Sequence, residues 1–295
     1  MKNTSTFVVY YLTNTLMIEV RNLSFGYNKK KPLYRNLNLD LPVGCIYGLL
    51  GKNGAGKSTL LKNFTGLLFP TQGELRVNGF VPKKRLPSFL QTIYFIPEEV
   101  YVPSLTINGY KKIFAPFYPA FNEEQFHSYL NLLDVQDKGK LRTFSFGQQK
   151  KFVIAFALAC NTRILLLDEP TNGLDIPSKM KFRKLISSVF TEDKMIFIST
   201  HQIRDLDNLI DNVIIVDEGE LLLQATLAEI SRKLSFKTVD TIVDETEILY
   251  TEPSLRGHAV VTENKTGEES KINLEFLFNA ITQNPAKAKS IFKSN

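Results

Sequence analysis

The run Gly51-Lys52-Asn53-Gly54-Ala55-Gly56-Lys57-Ser58 joins glycines, a lysine and a hydroxyl at a spacing that suits a phosphate chain. Glycines let backbone N–H groups turn inward around phosphate oxygens with no Cβ in the way. The run follows an apolar stretch, Cys45 to Leu50, and the pattern predicts a helix over 58–68. That helix N-terminus adds partial positive charge. Lys57 supplies a full charge to the β- and γ-phosphates, and the Ser58 hydroxyl is placed to ligate Mg²⁺. Asn53, Gly54, Ala55, Gly56 and Thr59 complete the expected cradle for a nucleoside triphosphate.

A second chemical pair lies 111 residues beyond Lys57, where Ile164-Leu165-Leu166-Leu167 ends in Asp168-Glu169. An apolar strand that delivers two carboxylates at its tip suits phosphoryl chemistry. Asp168 would hold the metal ion directly or through water, and Glu169 would polarise or deprotonate the attacking water.

The surrounding pattern supplies a frame for these groups. Ile18 to Val20, Leu37 to Leu41 and Cys45 to Leu50 read as strands, punctuated by Gly44, Gly51 and Gly73. Residues 90 to 160 are largely helical in pattern, as in Glu123 to Leu133 and Gln148 to Ala159. Arg163 to Leu167, Met195 to Ser199 and Val213 to Val216 are short apolar runs of the kind buried in parallel sheets. Alternation of this sort predicts an α/β domain with helices packed on its sheet. Beyond Leu234 the composition turns to Thr, Glu and Lys. Weak strands at Glu247 to Thr251 and His258 to Thr262, then a helix from Asn273 to Ile281, suggest a small α+β appendage over 235–295.

Ser145-Phe146-Gly147-Gln148-Gln149 stands just upstream of Asp168, at the top of a predicted helix. It resembles the signature sequence of ATP-binding cassette (ABC) proteins. Residues 17–234 as a whole resemble the nucleotide-binding subunit of an ABC transporter, most like those of ABC-2-type systems. The resemblance implies a P-loop cassette with a mixed-sheet core, an antiparallel β subdomain and a helical subdomain at about 100–160. Tyr27 matches the aromatic that stacks on adenine, a role its planar ring can fill. Glu98, after Pro97, stands where the family usually has the Q-loop glutamine, with a catalytic and metal-binding role. Asp175 in Gly173-Leu174-Asp175 matches the D-loop, or else caps a helix. His201 in Ser199-Thr200-His201 matches the switch histidine, a donor toward the γ-phosphate.

Two positions depart from the family pattern. Glu98 is a carboxylate in place of an amide, which adds negative charge near a triphosphate. Phe146 replaces the first glycine of the usual Ser-Gly-Gly core, so its ring must point away if Ser145 and Gly147 are to approach a γ-phosphate.

In this family the phosphate loop of one chain meets the signature of another. The resemblance therefore implies a head-to-tail dimer around ATP and Mg²⁺, as a homodimer or with a related cassette. Ser145, Gly147 and Gln148 would serve the partner's triphosphate. It also implies a separate transmembrane permease and a peripheral place on the cytoplasmic face of the membrane, with a lean toward export. Ten of the 36 residues from 94 to 129 are aromatic, and Tyr101, Phe114 and Phe117 are candidates for an exposed docking patch.

Composition sets the remaining bounds. The chain has 295 residues and a formal net charge of +6. Its longest apolar run, Phe152 to Cys160, falls well short of the ~20 residues a membrane-spanning helix needs. Two cysteines within apolar stretches suit a reducing compartment. Residues 1–16 lack a small-residue cleavage site after the short apolar stretch Phe7 to Leu12, so either Met17 is the native start or residues 1–16 form a loose extension before it. A nucleic-acid- or ribosome-directed ABC ATPase is the alternative. Scattered basic residues, a single cassette and no long coiled-coil insertion argue against it, so no nucleic acid is expected. Asn264-Lys265-Thr266-Gly267 begins like a guanine-reading motif but lacks its Asp.

Overall fold

The computed structural model describes residues 16–28, 31–136, 139–206, 208–241, 248–255 and 257–293. Except for Leu16, which joins the first strand, the expected N-terminal extension lies outside the described residues. In chain order the strands are β1 (Leu16–Phe25), β2 (Tyr34–Pro42), β3 (Cys45–Leu50), β4 (Gln72–Val77), β5 (Ile93–Ile96) and β6 (Ile164–Asp168). They continue as β7 (Met195–Thr200), β8 (Asn212–Asp217), β9 (Glu220–Thr226), β10 (Leu234–Val239), β11 (Ile248–Ser254) and β12 (Gly257–Glu263). The longer helices are α1 (Lys57–Phe64), α2 (Ile107–Phe114), α3 (Glu123–Leu132), α4 (Phe146–Ala159), α5 (Ile176–Val189), α6 (Leu227–Lys233), α7 (Leu274–Gln283) and α8 (Pro285–Lys293).

The apolar runs assemble into one six-stranded sheet in the order β5-β6-β7-β3-β8-β9, parallel except for β9. Period-2 geometry sends alternate side chains to its two faces. Ile46 and Leu50, Leu165 and Leu167, Ile196 and Ile198 enter one core. Tyr47 and Leu49, Ile164 and Leu166, Met195 and Phe197 enter the other. Both faces are dry, which is why these strands read as continuous apolar runs. The second core is closed by α1 and by an antiparallel sheet, β2-β1-β4.

The parallel order has a functional consequence. β6, β7 and β3 are neighbours, with Asp168 level with Ser199 and Leu50 level with Thr200. The chain leaves each of these strands at the same edge, and β5 delivers Glu98 there as well. Residues far apart in sequence are thereby placed side by side.

Helix limits differ from the expected ones for local reasons. α1 stops at Phe64, because Gly66 takes φ +66° and any Cβ there would stand 2.3 Å from the Pro82 carbonyl oxygen. The Arg85 guanidinium donates to the Gly66 carbonyl at 2.8 Å and closes the helix end. α4 begins at Phe146 rather than Gln148, because Ser145 caps it: its Oγ accepts from the Gln148 N–H at 3.3 Å.

Most rings of the 94–129 segment fill the helical region. Phe156 on α4 is ringed by Tyr110, Phe121 and Phe126 at centroid distances of 5.0, 5.3 and 5.7 Å. Phe114 is half-buried, its ring tilted against Tyr110 at a centroid distance of 4.2 Å, so it leaves the expected docking trio. Tyr101 and Phe117 remain 82% and 63% exposed, and Ile113 joins them at 51%.

The C-terminal residues form an antiparallel sheet, β10-β12-β11, with α7 and α8. The predicted strand at 247–251 starts at Ile248 among the described residues, while β10 and α8 were not legible in the sequence pattern. Leu249, Val261, Leu277 and Ile281 join the same apolar cluster as Ile198 and Phe156, so this segment shares the core of the larger sheet. Arg204, just after β7, pairs with Glu275 on α7 at 2.9 Å.

Phe156 is the keystone of the helical region. Phe156→Ala should destabilise the protein by ~3–5 kcal/mol, read as a lower urea midpoint at unchanged slope. A midpoint close to that of the unmodified chain would contradict this packing role.

Candidate nucleotide site

The glycine loop runs from the end of β3 into α1. Gly56 caps the helix with φ +104°, and no side chain bonds to its first-turn N–H groups. A Cβ at Gly56 would stand 2.3 Å from the phenol oxygen of Tyr34, so the loop closes only with glycine there. Gly54 also has a positive φ, +84°, but faces open space. These uncapped N–H groups and the helix terminus form a ready anion cradle. Asn53 and Gly54 are exposed, Ala55 is buried below the turn, and Ser58 is half-buried beside Lys57.

Lys57 is buried. Its Nζ donates to the carbonyls of Gly51 at 2.8 Å and Lys52 at 3.3 Å, and lies 3.7 Å from Glu169 Oε1. Burial lowers its pKa from the usual lysine value, opposed by the nearby Glu169, Asp168 and Glu98 carboxylates. At the opposite side of α1, Tyr27 is 70% exposed, its hydroxyl hydrogen-bonded to Thr59 Oγ1 at 3.0 Å and its ring edge-on to Phe25. An open ring face anchored to the start of α1 is suited to a planar base.

Asp168 and Glu169 are both buried. Ser199 Oγ donates to Asp168 Oδ1 at 2.5 Å and fixes that carboxylate at the strand tip. Glu169 takes φ +46°, an uncommon conformation for a non-glycine residue. It is held there by its N–H to the Ser199 carbonyl at 3.0 Å. Its Oε2 accepts from Thr200 Oγ1 at 3.1 Å, and its Oε1 from the His201 N–H at 2.9 Å. His201 Nδ1 stands 2.8 Å from the same Oε1. A carboxylate only accepts, so Nδ1 carries the proton. The neutral ring then offers a lone pair at Nε2, and a second proton makes Nε2 a donor.

Glu98 is exposed at the rim, its Oε1 accepting from Asn172 Nδ2 at 3.0 Å. The Ser58 hydroxyl and the Asp168 and Glu98 carboxylates are hard oxygen donors, the donor type that Mg²⁺ takes. Thus Lys57, Asp168, Glu169 and His201 cluster at one sheet edge.

Ser145, Gly147, Gln148 and Asp175 belong elsewhere. Among the described residues, no hydrogen bond or ion pair joins their side chains to that cluster. Ser145 is exposed at the tip of α4. Gln148 turns back to donate to the Asp134 carbonyl at 3.1 Å. Asp175 caps α5, accepting from the Ser178 N–H at 2.9 Å, and hydrogen bonding from the Ser178 hydroxyl, then from its N–H, holds its carboxyl below the usual range. Phe146 lies against Gly173, where a Cβ would come within 2.7 Å of the ring. The ring is thus turned toward its own chain's 173–175 loop. Sequence reasoning missed a buried cation beside this cluster, Lys150, whose Nζ donates to the carbonyls of Glu169 and Glu98.

Gly56→Ala should weaken binding of a fluorescent ATP analogue roughly tenfold or more, as expected for backbone strain of ~1–3 kcal/mol, with the far-UV circular dichroism unchanged. Unaltered affinity would contradict the cradle geometry.

Comparison with known proteins points the same way as this geometry. Residues 34–172 match the ABC transporter family. The lantibiotic transport ATP-binding protein SrtF of Streptococcus pyogenes is 32% identical over 70% of this chain and 90% of its own length. The bacitracin transport ATP-binding protein BcrA of Bacillus licheniformis is 34% identical over 70% and 68%. Among solved structures, an ATP-binding subunit of an ABC transporter aligns over 74% of this chain and 92% of its own, with TM-score 0.66 and 26% identity. The cassette MJ0796, a dimer in a post-hydrolysis state with ADP and Pi, aligns over 72% and 99% with TM-score 0.64 and 26% identity. The chain belongs to the ATP-binding subunits of the ABC transporter family, the ATPases that hydrolyse ATP for transport.

Proposed function

We propose that this chain binds MgATP at the Lys57 loop, hydrolyses it with Glu169, and uses the cycle to drive a separate membrane permease. The observation that carries this reading is the convergence of Lys57, Asp168, Glu169 and His201 on one sheet edge, beside a glycine-capped helix. The N–H groups of residues 54–59 and Lys57 take the phosphates, and Tyr27 takes the base. Asp168, Ser58 and Glu98 would hold Mg²⁺, which when bound neutralises phosphate charge. Glu169, pinned by Thr200 and His201, faces the attacking water and accepts its proton. His201 steadies that carboxylate through Nδ1 and turns its Nε2 toward the γ-phosphate.

Ser145 and Gly147 sit outside this cluster, at the tip of α4. We assign them to the triphosphate of a second cassette, a copy of this chain or a related one, with Asp175 beside the contact. The dimeric state of the cassette MJ0796 supports this arrangement. The exposed Tyr101, Phe117 and Ile113 offer an apolar surface for the permease. No helix among the described residues is long and apolar enough to cross a membrane. The structural relative cbiO1 of Clostridium perfringens is part of a transporter complex, cbiONQ. Relatives named for lantibiotic and bacitracin transport and for linearmycin resistance favour export.

Replacing Glu169 by Gln should leave ATP binding intact, stop turnover and trap a dimer at saturating MgATP, seen as a doubled mass in light scattering. A monomer under those conditions would contradict the shared-site reading. Chelating divalent cations from the unmodified chain should abolish phosphate release, and Mg²⁺ should restore it. Release that persists in excess chelator would remove Asp168 from its assigned role. Polar substitution of Tyr101 and Phe117 together should reduce co-sedimentation with native membranes, whereas unchanged sedimentation would place the docking surface elsewhere.

A further inference from the structure

Lysine at position 150 has the sequence context of an exposed helical charge, since it follows two glutamines and precedes a second lysine. It is instead fully buried. Its Nζ donates to the Glu169 carbonyl at 2.6 Å and the Glu98 carbonyl at 3.1 Å, and lies 5.7 Å from the centre of the Phe146 ring. An ammonium group has three protons, and these three partners surround it. Burial lowers its pKa to about 8, partly offset by the Glu98, Glu169 and Asp168 carboxylates. A buried lysine is retained at a cost unless its partners are well placed.

The two carbonyls belong to functional positions on different strands. Glu98 follows β5, and Glu169 follows β6 with its strained φ of +46°. The Glu169 carbonyl has one other donor, the Asn172 N–H at 3.2 Å. The lysine itself rides on α4, whose tip carries Ser145. The Phe146 ring covers it and rests on Gly173, the start of the loop that ends at Asp175.

We infer that Lys150 is a positioning residue for hydrolysis, binding the peptide groups of Glu98 and Glu169 to the base of the signature helix. It touches neither nucleotide nor metal, and acts by fixing the backbone from which the Glu169 carboxylate projects. Because the same helix presents Ser145 to the opposite triphosphate, a shift of α4 on closure of the pair is passed directly to the Glu169 backbone of the same chain. Phe146 gives this linkage its second contact: a glycine there would leave the ammonium without its cover and Gly173 without its packing partner. This inference rests on the ATPase reading above.

The test compares Lys150→Met, which keeps the length and removes the donors, with Lys150→Gln, which restores an NH₂ donor group at shorter reach. Full-length protein is assayed for steady-state ATP hydrolysis and for affinity toward a fluorescent ATP analogue. For Lys150→Met we expect kcat to fall roughly 10- to 100-fold, the scale of a small misplacement of a catalytic group, while KM and analogue affinity stay unchanged. Lys150→Gln should fall between this variant and the unmodified chain. If Lys150→Met does not fold, the glutamine variant carries the test, and a lowered kcat at unchanged affinity supports the inference. Full kcat in either folded variant, or an equal loss of affinity and kcat, overturns it. Failure of the ATPase reading looks different: the unmodified chain would then show no hydrolysis for Glu169→Gln to remove.

Discussion

The Glu169 carboxylate is buried between Lys57 on one side and the Thr200 hydroxyl and His201 on the other, and the architecture is organised around keeping it there. A charged carboxylate in a dry setting is stable only if donors reach it from several directions. No single segment supplies them. Lys57 comes from the loop after β3, Thr200 and His201 from the end of β7, and the carboxylate from the end of β6. The parallel order β6-β7-β3 is the simplest way to bring these termini to one edge, and its two dry faces keep their register fixed.

Charge balance gives the site its second property. Lys57 and Lys150 are buried close to Asp168 and Glu169, and Glu98 stands at the rim, so the cluster already carries more negative than positive groups. A triphosphate adds further negative charge. On the proposed reading its binding would depend on the loop N–H groups, the helix terminus and a divalent cation acting together. On that reading the carboxylate at Glu98 would make the dependence on the metal stronger than an amide would, because an amide carries no charge to neutralise. Helix α4 connects this cluster to the exposed Ser145 tip, and Arg204 with Glu275 connects the segment after His201 to the C-terminal helices.

Much of this was legible in the sequence, for identifiable reasons. The glycine loop is dictated by backbone conformation and close approach, so its residue types follow from geometry at Gly56. Asp168, Glu169 and His201 end apolar runs, and strand termini in a parallel sheet share an edge. Other features were not legible. Lys150 follows two glutamines and looks like a solvated charge. Its burial depends on carbonyls 52 and 19 residues away in sequence. Phe114 and Phe117 lie three residues apart, yet one is half-buried against Tyr110 and the other exposed. That difference arises because α2 ends at Phe114 and Phe117 falls in the following turn. Strand β10 and helix α8 carry ordinary mixed composition, and they are ordered by packing on the larger core rather than by local propensity.

The central claim is that His201 and Glu169 act on the reacting phosphate while the loop around Lys57 holds the nucleotide. His201→Ala separates the two functions. Calorimetric titration with MgATP and single-turnover hydrolysis should be measured on the same preparation. The account predicts affinity close to that of the unmodified chain and a hydrolysis rate lower by roughly 100-fold, the scale of one lost hydrogen-bond donor to the transition state. Hydrolysis at the unmodified rate would contradict it.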